Sequence, residues 1–329
     1  MSDTVVVGLD VGGTSTRATA LTLAGERLGT GRGGGGNPTS HGAERAAAEL
    51  LTALRGALAG VDPTRVRAGT IGLAGAARLL ADPAGRAAFD RAWAEAGLRC
   101  PYAVHGDALV AYASGTAAPD GTVLIAGTGA IAAQVRDLRL DRVADGHGWL
   151  LGDAGSGFWL GREAVRRLLA TLDSAGAPGP LGRRLLTELL GTAEVAARPR
   201  DTVDALIQAV TRRPPVELAR LAPLVVAAVV EGEPEAVALI ERAATHLVDS
   251  AGRIRPAGAV TPIVLGGGLL TGDTPLAAAV RAEAHRRWPA APVCPAGDGA
   301  AGAAWLAARE LPEVTDPVAL HALLVPATD

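Results

Sequence analysis

Three glycine-rich segments carry the chemistry this chain can do. Asp10-Val11-Gly12-Gly13-Thr14 closes an apolar run that begins at Thr4. A tight glycine tip exposes consecutive backbone N–H groups as an anion nest, and Thr14 adds a hydroxyl. A carboxylate beside a bound phosphate repels it unless a metal lies between them. Asp10 therefore reads as a Mg2+ residue acting through water, or else as the exposed acid of a plain hairpin turn. Gly127-Thr128-Gly129 offers the same nest in the second half of the chain, although a type I′ turn explains one such tip equally well. Two tips suggest phosphates held by both halves. Gly266-Gly267-Gly268 follows a short apolar run, Pro262–Leu265, and would let a base or ribose approach the backbone at Gly267 and Gly268; a plain loop is the alternative.

Asp107 follows a short strand pattern and precedes Ala108–Tyr112, which starts a helix. It can serve as general base toward a hydroxyl, or simply cap that helix. Asn37 sits in Gly-Asn-Pro-Thr, where a turn role competes with ligand contact.

What the chain lacks narrows the chemistry. All 31 basic residues are arginine. A lysine-dependent P-loop, a protein-kinase site and Schiff-base catalysis are therefore excluded. Any phosphate must be met by backbone amides, arginine or a metal. The net charge of −3 and the absence of a basic stripe argue against a nucleic-acid partner. Cys100 and Cys294 have no metal or redox spacing. No apolar run reaches the ~20 residues of a membrane span. The N-terminus lacks the basic start of a signal peptide, so a cytoplasmic location is expected.

The elements that must position these residues follow an α/β pattern, and 329 residues are enough for about two domains. Thr4–Asp10 and Thr16–Leu23 read as a hairpin with the first glycine tip. Apolar spacing predicts a helix from Ala43 to Leu58, a strand at Ala68–Leu73, a helix at Arg86–Ala96 and a strand at Tyr102–Val104. The layout restarts at Thr122–Ala126 and Ala130–Arg136, around the second tip. Residues 161–252 read as mostly helical. The strand at Pro262–Leu265 and helices at Leu276–Arg287, Ala300–Glu310 and Val318–Leu324 complete the chain.

DVGGTSTRA, IAGTGA and IVLGGG resemble the phosphate 1, phosphate 2 and adenosine motifs of the actin-like ATPase superfamily of sugar kinases and Hsp70. HGDALVAYASGT and GHGWLLGDAGSGFWLGREA resemble its BadF/BadG/BcrA/BcrD branch, which holds the N-acetylglucosamine kinases; the actinobacterial glucosamine kinases are the nearest group. The resemblance implies two actin-like (ribonuclease H-like) α/β domains with mixed sheets flanked by helices and a cleft between them. The first would span 1–117, joined by a C-terminal helix at 316–329, and the second 118–315.

The resemblance further implies MgATP as phosphoryl donor and a glucosamine 6-hydroxyl as acceptor, with Asp107 as base and sugar ligand. Asn37, the loop Gly146-His147-Gly148 and Asp153 would contact the sugar. Asp10 would hold Mg2+, and Gly12, Gly13, Thr14, Gly127, Thr128, Gly129, Gly267 and Gly268 would hold ATP. It is compatible with a homodimer and implies no membrane partner. Many N-acetylglucosamine kinases carry Asp-Glu-Gly where this chain has Asp153-Ala154-Gly155, which puts the sugar's 2-substituent in question. N-acetylglucosamine is the alternative acceptor. A non-catalytic sugar sensor and a dehydratase-activating ATPase are the further alternatives.

Overall fold

The computed structural model describes residues 4–326. The ends of the expected first domain, 1–3 and 327–329, lie outside the described residues. The chain divides into two compact units. One comprises the residues up to Val123, a short segment Val135–Asp141 and the residues from Ala296 onward. The other comprises Leu124–Gln134 and Arg142–Pro295.

In chain order the first unit contributes β1 (Val5–Val11), β2 (Thr16–Thr22) and β3 (Arg27–Gly33). Helices α1 (Pro38–His41) and α2 (Ala43–Ala57) follow, then β4 (Val66–Leu73), α3 (Ala76–Leu80), α4 (Pro83–Glu95), β5 (Tyr102–Gly106) and α5 (Asp107–Ala113). The second sheet takes β6 (Gly121–Ala126), β7 (Ala130–Arg136) and β8 (Arg139–Asp145). Then come α6 (Gly157–Asp173), α7 (Pro180–Leu190), α8 (Pro199–Thr211), α9 (Ala222–Val230), α10 (Pro234–Gly252), β9 (Ile263–Gly266), α11 (Pro275–Arg287) and β10 (Val293–Pro295). Helices α12 (Gly299–Ala308) and α13 (Pro317–Leu324) close the chain and belong to the first unit.

Each sheet has five strands, in the orders β3-β2-β1-β4-β5 and β10-β9-β6-β7-β8. Both are mixed and flanked by helices, the actin-like arrangement. In the first sheet β1 pairs antiparallel with β2 and parallel with β4, and β4 pairs parallel with β5. The register sets Asp10 opposite Gly72, and Gly72 opposite His105. Asp10 and the start of α5 thus lie at the same, C-terminal, end of three parallel strands. Open α/β sheets bind ligands at that end.

Sequence patterning locates most of these elements to within a few residues but misses β3, β8, β10, α1 and α3. Strand β3 reads RLGTGRG, with no apolar alternation. Its alternation is one of glycines. A Cβ at Gly29, Gly31 or Gly33 would come within 2.3 Å or less of a carbonyl oxygen on α2 (Ala57, Ala53 and Glu49 respectively). The strand face is glycine because the helix backbone lies directly on it. Strand β8 (RLDRVAD) is an edge strand whose exposed positions are mostly charged, which hides the period of two.

Helix α12 is alanine and glycine apart from Trp305 and Leu306, and every residue in it is buried. It crosses β1 at Gly8, where a Cβ would stand 2.0 Å from the Ala300 carbonyl oxygen and 2.2 Å from the Ala304 nitrogen. On its other side Gly302 lies against α5, where a Cβ would stand 2.6 Å from the Val110 carbonyl oxygen. No helix among the described residues is long and apolar enough to cross a membrane.

Gly8→Ala forces two backbones apart, and overpacking of this kind costs roughly 1–3 kcal/mol or more. At Gly13, on the tip of the same hairpin, an added methyl would meet nothing within 4 Å, so Gly13→Ala should change stability by about 0.5 kcal/mol at most. Urea unfolding of the two variants, compared by transition midpoint, checks the contrast.

Candidate functional site

In the first unit the residues expected from the sequence gather at one end of the sheet. Asp10 lies near the end of β1, and its Oδ2 accepts a hydrogen bond from Arg17 Nη2 at 2.7 Å. Burial raises its pKa, the Arg17 guanidinium opposes that, and the charge of Asp298 adds to the rise. The Gly12–Thr14 tip is braced from outside. Gly12 N–H donates to Ser15 O at 2.9 Å, Gly36 N–H donates to Gly12 O at 3.0 Å, and His41 Nε2 lies 2.9 Å from Gly13 O. Gly35 and Gly36 therefore pack against the Gly12–Thr14 tip.

Asp107 is the first residue of α5, and Gly106 holds the cap position. Its Oδ1 accepts from Ala108 N–H at 3.0 Å. Burial and the nearby Asp10 carboxylate push its pKa up to about 6. A base tuned toward neutral pH is better suited to accept a proton than an ordinary aspartate. Asn37 caps α1, with its Oδ1 taking Thr39 N–H at 2.8 Å. That carbonyl oxygen does the turn work, and the amide nitrogen is left to donate outward. A Cβ at Gly75 would fall 2.8 Å from Asn37 Oδ1, which puts Asn37 just past the end of β4.

The second unit builds its own cradle. Gly127 N–H donates to Gly129 O at 2.9 Å, so the second tip is a tight turn. The first N–H groups of α6 support it: Gly157 N–H meets Gly127 O at 2.8 Å and Phe158 N–H meets Thr128 O at 3.2 Å. Asp153 is buried (8% exposed) in a left-handed conformation, φ 58°. Its Oδ1 accepts from Ala130 N–H at 3.1 Å, and its carboxylate lies against Gly129. Burial raises its pKa. In this geometry Asp153 braces the Gly127–Gly129 tip.

Asp145, which sequence reasoning does not single out, holds the turn beneath. Its two oxygens accept from Asp153 N–H at 2.7 Å and Ala154 N–H at 3.1 Å. Gly146-His147-Gly148 is exposed and tied back by Gly146 N–H to Ala130 O at 2.9 Å. Gly267 has φ +82°, and a Cβ there would meet Ala126 O at 2.3 Å, so the end of β6 requires glycine at that position.

Gly13, Gly127 and Gly268 are different. None has a positive φ, and none has any heavy atom within 4 Å of a Cβ position. The chain itself does not require glycine there. Close approach of a ligand to the backbone at each tip would.

Asp298 and Arg17 are the other residues that sequence reasoning misses. Asp298 caps α12 by accepting from Ala300 and Ala301 N–H, and pairs with Arg27 at 2.9 Å. An aspartate before a small-residue helical run is a capping signal. Arg17 carries no such signal, since only strand pairing sets it beside Asp10.

The profile of the BadF/BadG/BcrA/BcrD ATPase family matches residues 7–307. The chain belongs to the BadF/BadG/BcrA/BcrD ATPase family. Among curated proteins it is 30% identical over 206 residues to the N-acetyl-D-glucosamine kinase of Dictyostelium discoideum, covering 59% of this chain and 63% of that one. The match thus spans less than two thirds of that relative. The crystal structure of a protein from Chromobacterium violaceum, provisionally named an N-acetylglucosamine kinase, superposes with a TM-score of 0.71 at 25% identity, covering 93% of this chain and 99% of that one. A ROK family glucokinase from Streptomyces griseus, solved with glucose and AMPPNP, shares the fold at a TM-score of 0.56 and 23% identity, with 93% and 99% covered.

The raised Asp107 pKa has a consequence for stability. The native state prefers the protonated acid, so this contribution is fully present below the unfolded value near 3.8 and is lost as pH rises through about 6. Asp107→Asn removes the cost of the buried charge. The metal-free variant should exceed wild type by about 1–3 kcal/mol at pH 8 and by little at pH 4. Thermal unfolding in chelator across that range checks it.

Proposed function

We propose that the chain is an ATP-dependent amino-sugar kinase that transfers the γ-phosphoryl group to a sugar 6-hydroxyl. The observation that carries this reading is the pairing, at one sheet end of a family ATPase, of a glycine tip bearing Asp10 with a half-buried Asp107 whose pKa is about 6. A hydroxyl is a weak nucleophile, and a carboxylate in hydrogen-bond reach of it accepts its proton as transfer proceeds. Asp107 is given that role. Its elevated basicity comes from burial and from Asp10, and the Ala108 N–H holds one oxygen in place.

The residues present suit Mg2+. Among the described residues no group of three or more His, Cys, Asp or Glu side chains could hold a metal ion, and Mg2+ in phosphoryl-transfer sites typically uses one or two carboxylates with phosphates and water. Asp10 supplies one hard oxygen donor and lies in a cluster of like charge with Asp107 and Asp298. When bound, the ion would neutralise charge on the transferring phosphoryl group. The tips Gly12–Thr14 and Gly127–Gly129 would meet phosphates through backbone N–H groups, and Gly267-Gly268 the adenosine.

Two acceptors compete. Similarity to actinobacterial glucosamine kinases favours glucosamine. The named relatives favour N-acetylglucosamine, and so does the Asp153 carboxylate, which is buried and bonded to Ala130 N–H. With that acid turned inward, fewer negative groups remain to recognise a cationic amine, and Ala154 leaves room where a glutamate is common. We take N-acetylglucosamine as the better acceptor and glucosamine as the second reading. Burial raises the Cys100 and Cys294 thiols, which speaks against thiolate ligation of a metal cluster.

With MgATP, we expect kcat/KM for N-acetylglucosamine to exceed that for glucosamine by tenfold or more, about 1.4 kcal/mol of discrimination. The reverse order makes glucosamine the substrate. Asp107→Asn should lower kcat by roughly 10²–10⁴ while remaining folded. A coupled ADP-release assay measures both, and near-wild-type turnover by the variant would remove Asp107 from the chemistry.

A further inference from the structure

Asp10 is part of a charged row. In the antiparallel register of β1, β2 and β3, Asp10 stands opposite Arg17, and Arg17 stands opposite Arg32. Directly opposed residues share a sheet face. One carboxylate and two guanidiniums therefore line the sheet beside the Gly12–Thr14 tip. Arg17 bonds Asp10 at 2.7 Å, and its side chain is 51% exposed while that of Asp10 is 19% exposed. Arg17 can let go of Asp10 and stay hydrated. Asp10 cannot lose its cation without leaving a mostly buried carboxylate unneutralised.

A metal arriving at Asp10 competes directly with this guanidinium. Once displaced, Arg17 still faces Arg32 but no longer has a carboxylate of its own to neutralise it. Like charges directly opposed across strands are unfavourable until an anion meets them. A guanidinium fork matches phosphate geometry, and with arginine as its only long basic side chain the protein has no lysine for that task.

We propose that Arg17 is an exchangeable cation of the phosphate site. It neutralises Asp10 in the nucleotide-free protein, gives Asp10 up to Mg2+, and then binds the terminal phosphate of the nucleotide. This rests on reading Asp10–Thr14 as the loop for the nucleotide's phosphates and metal, and is independent of the sugar.

Calorimetric titration without sugar tests it, using Mg2+ alone, MgADP and MgAMPPNP on wild type, Arg17→Gln and Arg17→Lys. Arg17→Gln should weaken MgAMPPNP at least tenfold, as expected for a lost charge-assisted bond, and MgADP less than threefold. Mg2+ alone should bind Arg17→Gln more tightly than wild type, because the competing guanidinium is gone. Arg17→Lys, which keeps the charge, should recover part of the MgAMPPNP affinity and carries the test if Arg17→Gln does not fold. Equal losses for the two nucleotides, or unchanged affinity for all three probes, would overturn the proposal while leaving the nucleotide loop standing. Wild type that binds neither nucleotide would overturn both together.

Discussion

Helix α12 lies on β1 with no side chain between the two backbones. Gly8 makes that approach possible on the strand, and the alanines and glycines of the helix make it possible from the other side. Gly302 repeats the arrangement against α5. Burial of an entire helix of small residues gains little apolar area per residue, so its worth lies in geometry. It fixes how far Asp10, near the end of β1, stands from Asp107, at the start of α5. A Cβ at Gly299, the first residue of α12, would be 2.8 Å from Asp10 Oδ2, so the helix N-terminus itself bounds the space around that carboxylate. The parallel register of β1, β4 and β5 does the rest, since it aligns Asp10, Gly72 and His105 in one row.

That geometry gathers like charges. Asp10 raises the pKa of Asp107, and Asp298 raises that of Asp10. A protein selected for stability alone would avoid three neighbouring carboxylates at the end of a sheet. Their repulsion is partly met by Arg17 on Asp10 and by Arg27 on Asp298, while Asp107 is held by the Ala108 N–H and titrates near 6. Local rules of this kind are broken mainly at functional sites, where the cost sets up the chemistry. A carboxylate with a raised pKa is a better proton acceptor, and one that holds an exchangeable cation is a better place for a metal.

The motifs and most elements were legible in the sequence, because apolar strands ending in glycine tips leave a strong local signal. Thr4–Asp10 and Ala130–Arg136 illustrate this: the structure has strands at Val5–Val11 and Ala130–Arg136. What was not legible depended on partners distant along the chain. Strand β3 shows glycine where a strand normally shows valine, because α2 takes the space of its side chains. Arg17 pairs with Asp10 only through the hairpin register. Asp145 matters because it holds a turn at Asp153 and Ala154. For Asp153 the family resemblance implies sugar contact, and only the folded chain reveals that its oxygen takes the Ala130 N–H. The packing of α12 on the first sheet also escapes a reading in chain order, since α6 to α11 and the whole second sheet intervene between α5 and α12.

In the proposed reaction Asp107 receives the proton of a sugar hydroxyl while Asp10 faces the metal of the nucleotide. A crystal structure with AMPPNP, Mg2+ and N-acetylglucosamine bound tests this most directly. The expected result is a sugar O6 within about 2.6–3.2 Å of an Asp107 carboxylate oxygen, with Mg2+ on the Asp10 side of the phosphates. A sugar whose O6 lies beyond hydrogen-bond and single-water reach of Asp107, with another side chain at O6, would contradict it.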